Sequence, residues 1–126
     1  MLIEICTAKI HRATVTEANL NYVGSITIDK KLLDASGIKE YQMVNITNLS
    51  NGTFWQTYAM AGKEGNGDIC LNGPPARHFQ PGDIVIILGK AYVTPEEYEK
   101  AEPMVVFVDG KNQVTKKEKH RLVGSK

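Results

Sequence analysis

A chain of 126 residues that is 42% hydrophobic and 23% charged has the composition of one ordinary folded domain. Fifteen basic against fourteen acidic side chains leave a formal charge of +1, which excludes the cationic footprint of a nucleic-acid binder or of a protein held on an anionic membrane. Two cysteines, Cys6 and Cys70, are too few for a disulfide scaffold and read as reduced thiols.

The opening MLIEICTAKIH places Glu4 and Lys9 where a signal peptide needs an unbroken apolar region. No run approaches the roughly 18 apolar residues of a spanning helix. The expectation is a cytoplasmic protein without membrane or nucleic-acid partners. Residues 2–15, LIEICTAKIHRATV, read as a long strand. A two-residue period puts Ile3, Ile5, Thr7, Lys9 and His11 on one face, so an apolar face turns cationic toward its far end. Thr16 opens a short turn through Asn19. NYVGSITIDK follows, with Gly24 and Ser25 between Val23 and Ile26 and a strand continuing through Asp29.

Asp29 reads as the N-cap of a helix over KKLLDAS, with Gly37 at its C′ position. MVNITNL is a strand, Asn51-Gly52 a hairpin turn and TFWQTYAMA the return strand. The Asn45, Asn48 and Asn51 glycosylation patterns carry no weight in a protein that is not exported. GKEGNG is a loop, DICLN a short strand, GPPARHFQPG an irregular connection and DIVIILGKAYV a long buried strand. Thr94-Pro95-Glu96-Glu97 is a capping box with proline at the first helical position. MVVFVDG is a last strand, and after Asn112 the pattern dissolves into VTKKEKHRLVGSK. Residues 1–112 therefore read as one domain and 113–126 as a mobile tail. Many short strands with little helix predict a mainly β fold, a closed or nearly closed barrel with a few short helices.

His11, His78 and His120 with the two cysteines show no paired-ligand spacing, so no metal site is expected. AGKEGNG lacks the Ser or Thr and the following helix of a phosphate loop, and no G-x-S-x-G elbow occurs. By itself Gly24-Ser25 is an ordinary turn or bulge. In a tight bend, however, the Ser25 hydroxyl can attack the Gly24 carbonyl, because glycine tolerates positive φ and has no Cβ in the way. Holding the hydroxyl near attacking distance contributes on the order of 7–11 kcal/mol, and a donor to the developing oxyanion adds more. β-Elimination of the resulting ester frees residues 1–24 and leaves a dehydroalanine, whose hydrolysis gives an N-terminal pyruvoyl group. Such a ketone is an electron sink that forms a Schiff base with a substrate amine.

KIHRATVTEANLNYVGSITID (9–29), NG with TYA (51–59), ICLNG (69–73) and GDIVII (82–87) together resemble the bacterial aspartate 1-decarboxylase family over residues 1 to about 110. The resemblance implies a double-psi β-barrel and a homotetramer with active sites between subunits. It further implies autocatalytic cleavage between Gly24 and Ser25 of a zymogen, with any maturation factor unidentified, and a pyruvoyl cofactor made from Ser25 without metal. The reaction implied is decarboxylation of L-aspartate to β-alanine through a Schiff base, for pantothenate biosynthesis. By the same resemblance Thr57 assists cleavage and touches substrate, and Tyr58 returns a proton to carbon. A phenol keeps its proton at neutral pH and suits that task. Lys9 resembles the residue that attracts a substrate carboxylate, and His11, Tyr22, Asn72, Gly73, Pro74 and Pro75 match positions lining or organising the site. On residue type alone, Thr57 and Tyr58 are strand packing, Lys9 a solvated lysine and Asn72 a turn residue.

Two departures from the family pattern touch substrate binding. Phe54 stands where the family carries arginine, and an aromatic ring does not replace a bidentate guanidinium. Pro74 and Pro75 stand where the family carries alanines, and proline offers no N–H. Two alternatives follow: a pyruvoyl decarboxylase acting on a different amino acid, and an uncleaved barrel without catalysis.

Overall fold

The structure, a computed structural model, describes residues 1–22 and 24–120. Nine strands and two short α-helices follow in order: β1 Ile3–Thr14, β2 Glu17–Asn19, β3 Ser25–Asp29, α1 Lys30–Ser36, β4 Met43–Asn48, β5 Phe54–Gly62, β6 Ile69–Asn72, β7 Ile84–Val93, α2 Pro95–Lys100, β8 Met104–Val108 and β9 Val114–Lys119. The mainly β architecture is the one expected. Strand order is β2-β6-β3-β5-β4-β7-β1-β8-β9, a mixed sheet with parallel pairs at β1/β8, β2/β6 and β3/β5. Only Val15 and Thr16 separate β1 from β2, so one stretch of chain serves both ends of the run from β2 to β1. Its backbone is held across the gap, Val15 N–H donating to Asp83 and Thr16 N–H to Ile69, each at 2.8 Å. The sheet curls around a single core, consistent with a β-barrel, although no ladder pair among the described residues closes it.

Period-two alternation builds that core. Ala8 and Ile10 of β1, Ile26 and Ile28 of β3, Val44 and Ile46 of β4, and Val85 and Ile87 of β7 all point inward and are buried. Each fully buried Val, Leu or Ile side chain contributes about 1.5–3 kcal/mol. Leu32 and Leu33 of α1 and Phe79 join them.

The helices start and stop where their capping residues stand. The Asp29 carboxylate accepts from Lys31 N–H at 2.8 Å, and Gly37 ends α1 with φ +83°. Thr94 and Glu97 form the reciprocal capping box of α2. At the β4–β5 hairpin, Gly52 has φ +74°.

Three expectations are corrected. In the turn assigned to residues 16–19, Glu17–Asn19 form β2, paired in parallel with β6. The connection after Gly73 contains a 3-10 turn over Pro74–Arg77, which the two prolines begin because they pre-set its φ and the first N–H groups of a helix lack partners anyway. The segment expected to trail off as a mobile tail instead forms β9, which pairs with β8 from Val108 to Met104. Backbone pairing at a sheet edge needs no apolar side chains, and lysines there discourage further strand addition. The rest of that segment, residues 121–126, lies outside the described residues.

Candidate active site

β3 begins at Ser25, opposite Asn72 of β6. Its far end is pinned by Asp29, which is buried and accepts from the backbone N–H groups of Lys31, Gly65 and Gly67 at 2.8, 3.0 and 2.7 Å. Ile26 and Ile28 take the core side of β3, so Ser25 and Thr27 take the other. The same alternation on β5 puts Tyr58 and Met60 on that outer side, with Ala59 inward.

These residues meet in a cleft of about 330 Å³ lined by Tyr22, Gly24, Ser25, Thr27, Tyr41, Tyr58, Met60 and Ala61. Ser25 is only 3% exposed. Its φ is +154°, a value that side-chain-bearing residues rarely adopt. Residues held so are strained by about 1–3 kcal/mol. That strain falls on the N–Cα bond of Ser25, directly beside the Gly24–Ser25 peptide.

Asn72 and Gly73 shape the floor. The Asn72 side-chain amide donates to Thr27 Oγ1 at 3.0 Å, tying β6 to the outer face of β3. Gly73 has φ +77°, and a Cβ there would lie 2.9 Å from Gly24 Cα and 3.2 Å from Gly24 N. Its N–H donates to the Asn19 carbonyl at 2.9 Å, which also accepts from Tyr22 N–H at 3.3 Å. Only glycine permits this approach of the β6 end to Gly24. Pro74 is exposed and Pro75 buried in the 3-10 turn that follows.

Of the residues singled out from the sequence, Tyr22, Gly24, Ser25 and Tyr58 line the cleft, and Asn72 and Gly73 support it. Thr57 alternates to the side of Trp55 and Ala59 and does not line it. Lys9 and His11 stand elsewhere. Lys9 pairs with Leu88 of β7 and Val105 of β8. Leu88 pairs with Asn45, and Asn45 with Gln56, so Val105, Lys9, Leu88, Asn45 and Gln56 form one row on the outer face. Between β3 and β1 lie four strand spacings of about 4.8 Å each, roughly 19 Å measured along the sheet. Lys9 does not line the cleft.

His11 sits in a β-bulge. Ile10 and Ala13 pair with Ile87 and Val85, so His11 and Arg12 together face one residue of β7, and Arg12 takes φ +61°. The bulge turns the His11 ring edge-on to Phe107, with centroids 5.5 Å apart. Burial, with the positive charges of Lys9 and Arg12 adding to it, lowers the His11 pKa below the ordinary 6.5. Among the described residues its Nδ1 is buried without a hydrogen-bond partner, as is Asn45 Oδ1 on the same outer face. On β6, burial raises the pKa of the Cys70 thiol.

Thr27, Tyr41, Met60 and Ala61 belong to the cleft and were not anticipated. Thr27 and Met60 follow from period two once Ser25 and Tyr58 are placed. Nothing local points to Tyr41, which reaches the cleft from the turn before β4. No group of three or more His, Cys, Asp or Glu among the described residues is arranged to hold a metal ion. No helix among them is long and apolar enough to cross a membrane.

A family model described as aspartate decarboxylase matches residues 1–115. An aspartate 1-decarboxylase of Caldicellulosiruptor saccharolyticus is 54% identical over 123 residues, covering 95% of this chain and 96% of the relative. One from Lactiplantibacillus plantarum is 52% identical over 126 residues, covering 98% and 97%. A third, from Clostridium botulinum strain Loch Maree, is 54% identical over 116 residues, covering 92% and 91%.

Proposed function

The chain belongs to the aspartate decarboxylase family and is a carboxy-lyase, and from that premise we propose that it converts L-aspartate to β-alanine and carbon dioxide with a pyruvoyl group made from its own Ser25. The observation that carries this reading is the Gly24–Ser25 link, a hydroxyl-bearing residue 3% exposed with φ +154° after a glycine that line the same cleft as Tyr58. The Ser25 hydroxyl adds to the Gly24 carbonyl carbon, the C–N bond breaks as a proton passes to nitrogen, and an ester joins the two pieces. Loss of the Ser25 Cα proton with departure of the Gly24 carboxylate leaves a dehydroalanine. Water then displaces the nitrogen as ammonia and a ketone remains. Strain at the Ser25 backbone favours the first step, because acyl transfer relieves it.

The residues present fit such a group: Ser25 is enclosed by β6 and Tyr22, and the Asn72 amide is already committed to Thr27, which leaves the cleft side of Ser25 to the substrate. A pyruvoyl group there supplies an electron-withdrawing ketone that condenses with the substrate amine and draws off the electrons freed by carbon dioxide loss. Tyr58, on the next strand and in the same cleft, donates the proton to the substrate carbon. Tyr22 and Gly73 bound the space beside it. Lys9 attracts a substrate carboxylate from a second copy of the chain, since within one copy its strand lies four strand spacings from β3, roughly 19 Å along the sheet.

The same separation supports a homotetramer with sites between subunits. Phe54 is 59% and Met43 45% exposed on the outer face that carries Lys9. Exposed apolar groups on such a face suit a contact between copies. The proposed setting is the cytoplasm, with β-alanine passing to pantothenate synthesis.

Intact-mass measurement and a β-alanine assay test the reading. The expected result is two fragments divided after Gly24, the larger reactive toward hydroxylamine, and carbon dioxide released from L-aspartate. Ser25→Ala is expected to stay in one piece and release none. A wild-type chain that remains whole and inert toward aspartate overturns it.

A further inference from the structure

Tyr41 combines an unfavourable backbone with a specific contact. Its φ is +65°, a left-handed conformation that a bulky aromatic residue rarely takes. Its ring lies 5.4 Å from that of Tyr58, centroid to centroid, with only 13° between the planes. This is the offset stack that aromatic quadrupoles prefer. Both rings line the cleft that contains Ser25.

The surrounding hydrogen bonds leave Tyr41 little freedom. Its N–H donates to Ala59 at 2.8 Å, and Ala59 N–H returns a bond to Gln42 at 3.1 Å. Glu40 accepts from Ala61 N–H at 2.9 Å, so residues 40–42 grip β5 at Ala59 and at Ala61. The Gln42 side chain accepts from Lys39 N–H and donates to the Lys90 carbonyl, each at 2.9 Å. The turn is therefore fixed from three directions, and the Tyr41 ring is presented to Tyr58 rather than drifting in solvent. Packing does not explain the choice of residue, because Tyr41 is 71% exposed. Asparagine or glycine would meet the same backbone with less strain. A strained aromatic retained at the mouth of a reactive cleft points to what its ring does there.

We propose that Tyr41 is a positioning residue for Tyr58, its ring stacking on the phenol to hold it in the one orientation that keeps its hydroxyl within the Ser25 cleft. Tyr58 is only half-buried, and without a neighbour across its face the ring gains other side-chain rotamers. A proton donor that spends most of its time elsewhere transfers its proton less often, while substrate binding is little altered. The effect therefore falls on kcat rather than on KM. This inference rests on the assignment of Tyr58 as the proton donor.

Tyr41→Asn and Tyr41→Phe, compared with the wild type, test it. Asn suits the backbone and removes the ring, whereas Phe keeps the ring. Tyr41→Asn is expected to melt at the wild-type temperature or above, to lose about tenfold in kcat for aspartate (~1.4 kcal/mol) and to keep KM within about twofold. Tyr41→Phe should retain most of the wild-type kcat. A second readout needs no turnover. In a Ser25→Ala background, nitration of Tyr58 by tetranitromethane, followed by peptide mass, should be several-fold faster with Asn at position 41 than with Tyr or Phe. Equal Tyr58 nitration in all three, an unchanged kcat in Tyr41→Asn, or an equal loss in Asn and Phe variants overturns the inference. If the wild type releases no carbon dioxide from aspartate, the decarboxylase assignment fails instead, and nitration alone decides whether Tyr41 shields Tyr58.

Discussion

Arg12, Ser25, Tyr41 and Asn112 are the non-glycine positive-φ residues among those described, and each has a distinct cause. Asn112 is stabilised by its own amide, which donates to Thr14 and Gly67 at 2.8 Å while its carbonyl oxygen accepts from Thr14 N–H at 2.7 Å. Arg12 takes the extra position of a bulge. Ser25 and Tyr41 share the cleft. None of the four conformations is legible in the sequence, since each is imposed by partners distant along the chain, and the Gly24-Ser25 pair offers only the opportunity for one. His11 carries a pH consequence. Its folded-state pKa is below the ordinary 6.5, so below that pH the unfolded chain binds the proton more readily and stability falls with acidification. Urea midpoints at pH 7.5 and 5.0 should show this loss, and His11→Gln should make it smaller. An equal loss in that variant would mean that other groups carry the effect.

At the scale of elements, local chemistry was readable and pairing was not. Asp29 and Gly37 bound α1, Thr94 and Glu97 start α2, and Asn51-Gly52 turns the hairpin, because each acts within a few residues of itself. β2 and β9 escaped because their three and six residues lack an apolar alternation, and their strand character comes from β6 and β8. Lys116 lies over the Phe107 ring at 5.3 Å, giving β9 a contact that its charged composition conceals. The turn from β6 into the 3-10 segment makes a further prediction. Gly73→Ala and Gly52→Ala meet almost the same φ, +77° and +74°, but a Cβ at 52 touches nothing within 4 Å whereas one at 73 presses on Gly24. Gly52→Ala should cost about 1–2 kcal/mol in stability, and Gly73→Ala more, because its Cβ also presses on the Gly24 backbone at 2.9 Å. Only Gly73→Ala should slow cleavage after Gly24, by about tenfold or more, followed by intact mass at matched temperature. Equal cleavage in the two variants would show that the contact with Gly24 is irrelevant.

For the whole molecule, the mainly β class was legible from strand count and the near-absence of long helices, and half of the candidate site with it. What the residue pattern alone did not reveal was the distance between Lys9 and Ser25, because it depends on strand order: the cationic end of β1 lies four strands from Ser25. If Lys9 of one copy serves Ser25 of another, Lys9→Ala and Ser25→Ala are each inactive, yet co-expression of the two regenerates intact sites. Random pairing restores about a quarter of wild-type sites. A mixture no more active than either parent would place the whole site within one chain.

The passage of β1 into β2 gives the first residues an unusual status. That stretch is laced to β7 and β8 along one half and to β6 along the other. A cut after Gly24, as proposed, would therefore detach nothing: the short piece would stay interwoven like a stave whose hoop has been cut. The proposed cut would make each chain a complementation pair, in which reassembly after complete unfolding requires its two pieces to find each other, a step that the uncut chain does not need.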